Sequence, residues 1–101
     1  MIAGSYAIAH YLKEKIEKDI QIDDIAKKNL KHHIVRFRQL FYYIGEREAK
    51  CSQSLLAEIT NRRPSTVSMS NKNIDDLRGL GIYEYENLIE KYRNHINEVI
   101  E

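Results

Sequence analysis

Two adjacent arginines, Arg62 and Arg63, stand directly before Pro64 and a run of short hydroxyl side chains, Ser65, Thr66, Ser68 and Ser70, with Met69, Lys72 and Asn73 in the same stretch. These types in this order suit one chemistry: cations for the phosphates of a nucleic-acid backbone, and hydroxyl and amide groups that position or read base edges. Upstream lie a second basic stretch, Lys27, Lys28 and Lys31, and then Arg36, Arg38 and Gln39. Gln39 is placed to donate to a phosphate or a base edge. The ordinary alternative for Arg36 and Arg38 is a solvated helix face, or an ion pair with Glu46, Glu48 or an acid of the last helix. Adjacent arginines at a turn between two helices are harder to read that way.

The elements that would carry these residues follow from hydrophobic spacing. Ile8, Tyr11, Leu12, Ile16 and Ile20 predict a one-sided amphipathic helix over 6–20, with Ser5 as its cap. Asp23 and Asp24 suit the start of a short second helix running into the Lys27–Lys31 stretch. Ile34, Phe37, Phe41 and Ile44, broadened by Val35, Leu40 and Tyr43, predict a central helix over about 33–50 that is contacted on several sides and weakened near its end by Gly45. Ser52 caps a short helix to about Thr60, buried along Leu55, Leu56 and Ile59; the turn is 61–63, and Pro64 opens the next helix, where a missing N–H is tolerated. In that helix Val67, Ser70, Ile74 and Leu77 face inward, Ser65, Thr66, Met69, Lys72 and Asn73 face outward, and Gly79 and Gly81 end it. A last helix from about Tyr83 to Ile100 buries Tyr85, Leu88, Ile89, Tyr92, Ile96 and Val99 or Ile100. No strand-like alternation and no repeat interrupts this, so the expected fold is all-α, a compact five- or six-helix domain over 1–101 with a helix-turn-helix at about 52–78.

A chain of 101 residues fits one core. The net charge of +1 conceals a segregation. Residues 27–72 hold ten Lys or Arg against three Glu, whereas 1–26 hold three against five acids and 73–101 three against seven. The basic middle therefore coincides with the helix-turn-helix pattern, and segregation sets the local field. Cys51 is the only cysteine, which excludes a disulfide framework and a cysteine-based zinc site. His32 and His33 point about 100° apart on a helix and lack ligand-spaced neighbours, so no metal and no other cofactor is expected. No phosphate loop, GxSxG elbow or HExxH is present, and no nucleophile is paired with a base, so no enzyme activity is expected. With no export signal and no apolar run of membrane-spanning length, the expectation is a cytoplasmic protein without a membrane partner.

The same residues resemble a known family. In the C-terminal DNA-binding domain of the bacterial replication initiator DnaA, whose fold is grouped with the Trp repressor, an Arg-x-Arg-Gln opens the central helix, a Ser begins the next short helix, and an Arg-Asp-His-Thr-Thr-Val run opens the recognition helix. This chain has Arg36-Phe37-Arg38-Gln39, then Ser52, then Arg62-Arg63-Pro64-Ser65-Thr66-Val67. The resemblance implies a helix-turn-helix on double-stranded DNA, with phosphate contacts by Arg38, Gln39 and Thr66 and a part for Ser52. Arg63-Pro64 replaces the family's Asp-His, Thr60-Asn61 its glycines, and Leu30 stands where its basic loop sends an arginine into the minor groove, so recognition of that family's origin boxes is not implied. The chain lacks the ATPase domain, which fits a stand-alone or excised relative in replication, transcription or a mobile element. The alternative is a protein-interaction module, pairing as a homodimer or with another protein through the terminal helices, chiefly Leu88, Tyr92 and Ile96 of the acidic last helix.

Overall fold

Five helices run through the described residues of the computed structural model, which are 4–28, 30–81 and 84–100, with side chains described to 81 and over 86–98: α1 Ser5–Ile20, α2 His32–Arg47, α3 Gln53–Ile59, α4 Pro64–Gly79 and α5 Glu84–Ile100. The all-α expectation holds. The expected start at Tyr83 and the burial of Tyr85, Val99 and Ile100 lie outside the described residues.

The central place of α2 follows from its composition. Leu40, Phe41, Tyr42, Tyr43 and Ile44 are consecutive and all buried, so this helix has apolar surface on every side, and it touches each of the other four. Around it pack Ile8, Leu12 and Ile16 of α1, Leu56 of α3, Val67 and Ile74 of α4, and Ile89, Tyr92 and Ile96 of α5. Tyr92 and Ile96 are thus inside the chain's own core, and an interface on α5 would have to use other residues. Gly45 does not simply weaken α2. A Cβ there would lie 2.7 Å from Leu56 Cδ2, so the glycine leaves room for the Leu56 side chain of α3 against α2.

Three expectations are corrected. Gly4, not Ser5, is the N-cap of α1, and no side chain caps that end. Tyr11 lies on the exposed flank of α1, facing His95 with ring centroids 6.4 Å apart. The short helix expected from Asp23 is absent among the described residues: 21–28, 30 and 31 form an irregular segment. Its local bonds explain why. The buried Glu17 carboxylate accepts the Ile25 N–H (2.8 Å) and the Lys13 ammonium (2.7 Å), and Asp24 Oδ1 accepts the Ala26 N–H (2.9 Å). The carbonyls of Ile25, Ala26 and Lys27, which a helix would use internally, are taken by arginines from elsewhere.

Candidate nucleic-acid interface

The turn between α3 and α4 is built from its own residues upward. Ser52 caps α3, its Oγ accepting the Leu55 N–H at 3.1 Å. Thr60 ends the helix fully buried, its hydroxyl donating to a carbonyl of the preceding turn and receiving the Tyr42 hydroxyl at 2.7 Å, which pins the turn to α2. Asn61 then takes a left-handed conformation (φ 55°), and the Arg62 N–H closes back on the Ala57 carbonyl at 2.8 Å. Arg63 is the extended N-cap residue of α4, and Pro64 its first residue.

Arg62 and Arg38 tie the irregular segment to this turn. Arg62 Nη1 donates to the Thr60 carbonyl (2.7 Å) and Nη2 to that of Ala26 (3.2 Å). Arg38 Nη1 donates to the carbonyls of Ile25 (3.2 Å) and Lys27 (3.1 Å). Neither guanidinium meets a carboxylate among the described residues. Burial, and after it the neighbouring Arg62 charge, pulls Arg38 below the usual arginine range. The two fix the backbone that carries Lys28 beside the turn.

Two open concavities result. The first, of about 520 Å³, is lined by Lys28, Asn61, Arg62, Arg63 and Thr66. The second, of about 210 Å³, lies between α2 and α4: α2 supplies Val35, Arg38, Gln39 and Tyr42, and α4 supplies Thr66, Met69, Ser70 and Asn73. Thr66 belongs to both, so they adjoin, and no carboxylate lines either. By contrast, six cations elsewhere, Lys13, Lys15, Arg47, Arg78, Lys91 and Arg93, stand in carboxylate pairs.

Of the residues singled out from sequence, the structure brings together Lys28, Arg38, Gln39, Arg62, Arg63, Thr66 and Met69. It does not bring in the others. Lys27 is paired with Asp23 at 2.5 Å, which offsets its charge. Lys31 is the exposed N-cap residue of α2, Arg36 is exposed on that helix, and Ser52 serves its cap. Ser65 and Lys72 are exposed on α4 but line neither concavity. The site also includes Asn61, which sequence reasoning did not select, and Asn73, which it placed on the outward face of α4 without assigning it a contact. Asn73 follows Thr66 by seven residues, two helical turns, a spacing that marks it as sharing a face.

Among the described residues no cluster suits a metal ion, and no helix is long and apolar enough to cross a membrane. Comparison with protein-family models, with curated proteins and with solved structures finds no match to this chain.

Proposed function

We propose that this domain binds double-stranded DNA, seating α4 in the major groove with the α3–α4 turn and the 21–31 segment against the flanking phosphates. One observation carries the reading: Lys28, Arg62 and Arg63 converge on one concavity without a carboxylate, while Arg47, Arg78 and Lys91 on other faces are each paired with an acid of this chain. Charges held together without a counter-charge repel one another, and an external polyanion relieves that repulsion. The outward face of α4 supplies what a groove-facing helix needs, since Ser65, Thr66, Met69 and Asn73 are exposed and none is acidic. The resemblance to the DnaA C-terminal domain supports the same assignment. Fluorescence anisotropy with a labelled random duplex of about 20 base pairs tests it: binding at low salt should fall by orders of magnitude at moderate salt. No binding at low salt would remove the proposal.

A further inference from the structure

Met69 is 69% exposed on an otherwise polar face, and Ser70 beside it is only 6% exposed, with an Oγ that has no hydrogen-bond partner among the described residues. Both line the concavity between α2 and α4, together with the amides of Gln39 and Asn73. Thr66, Met69, Ser70 and Asn73 stand at i, i+3, i+4 and i+7, so one face of α4 presents them as a row. The guanidinium in this concavity, that of Arg38, is held by the carbonyls of Ile25 and Lys27, and Lys72 lies off the face.

These groups discriminate among base pairs by their chemistry. Guanine O6 and N7 are matched by a guanidinium or ammonium, adenine N6 and N7 by a carboxamide, and the thymine C5-methyl by an apolar side chain. The concavity offers the carboxamides of Asn73 on α4 and Gln39 on α2 and the thioether of Met69, and its cation, Arg38, is engaged elsewhere. We infer that α4 reads A·T pairs, with Asn73 on an adenine edge, Met69 against a thymine methyl, and Ser70 Oγ supplying a donor or acceptor to the group that enters the groove. The cations of the adjoining concavity favour an anionic polymer as occupant, which sets DNA above a neutral peptide for this groove. The inference rests on the DNA reading above and adds its sequence preference.

The test begins by selecting preferred duplexes from a pool randomised at its centre. Affinities are then compared, at one salt concentration, for the selected duplex and for versions in which single thymines become deoxyuridine, which removes only the methyl group. At one position the parent protein should lose roughly fourfold, the value of one buried methyl, and Met69→Ala should lose nothing further from that replacement. Asn73→Ala should weaken the selected duplex roughly tenfold and flatten the preference for adenine at one position. A selected site with guanine at the positions sensitive to Met69 and Asn73, or indifference to every deoxyuridine, would overturn the inference while the DNA reading stands. Failure to bind any duplex would overturn both. Both residues are exposed, so circular dichroism should show parent-like folding in either variant.

Discussion

Arg62 commits two guanidinium nitrogens to backbone carbonyls, whereas Arg63, the next residue, is exposed and meets no carboxylate among the described residues. Their substitutions should therefore differ. On the DNA reading proposed above, Arg63→Ala should remove one phosphate contact, so affinity should fall by a similar factor on all duplexes and the slope of log affinity against log salt should shrink by about 1, with the thermal melt unchanged. Arg62→Ala also releases the Ala26 carbonyl and with it the placement of Lys28. If Arg62 acts partly through Lys28, the Lys28→Ala effect should diminish in the Arg62→Ala background; strictly additive losses in that cycle would show two independent contacts. At the opposite extreme stands Phe41, wholly buried in α2, whose replacement by Ala should cost roughly 3 to 5 kcal/mol in urea unfolding.

Helices α1, α2, α3 and α4 were legible because their apolar spacing is regular, and α3 and α4 also begin on ordinary signals, the Ser52 cap and Pro64 at the first position. The 21–31 segment was not. Asp23 and Asp24 look like a helix start, but what decides the conformation is a set of partners distant in sequence: Glu17 for the Ile25 amide, Arg38 and Arg62 for the carbonyls. Long-range competition of this kind leaves no periodicity to read. The same holds for the site. The types and order of Arg62, Arg63 and Thr66 pointed to it, yet the pairing of Lys27 with Asp23 and the partnership of Arg38 with a neighbouring backbone required the fold. Arg38→Ala should accordingly loosen the segment as well as weaken DNA binding, seen as faster amide exchange at residues 25–28 than in the parent.

Across the whole molecule the paired carboxylates make stability depend on acid. The Ala26 N–H, and then Lys13, hold Asp24 below the usual carboxylate range, with burial opposing; at Asp19 burial pushes the other way but yields to Lys91, the Tyr92 hydroxyl and Lys15. Because both pKa values are depressed on folding, their contribution is complete above the unfolded value near 4 and is lost as pH falls through the lower folded values. The melting temperature should thus hold from neutral pH to about 5 and decline below about 4; an acid-insensitive melt would contradict these pairings. The tie through Arg62 has a consequence in the order of synthesis. It joins residues 36 apart in the chain, so the Ala26 carbonyl has no Arg62 partner until the chain has left the ribosome as far as residue 62. A nascent chain ending before the α3–α4 turn would present Lys27 and Lys28 on an unclosed segment, and the basic cleft would exist only on molecules in which the start of α4 is already made.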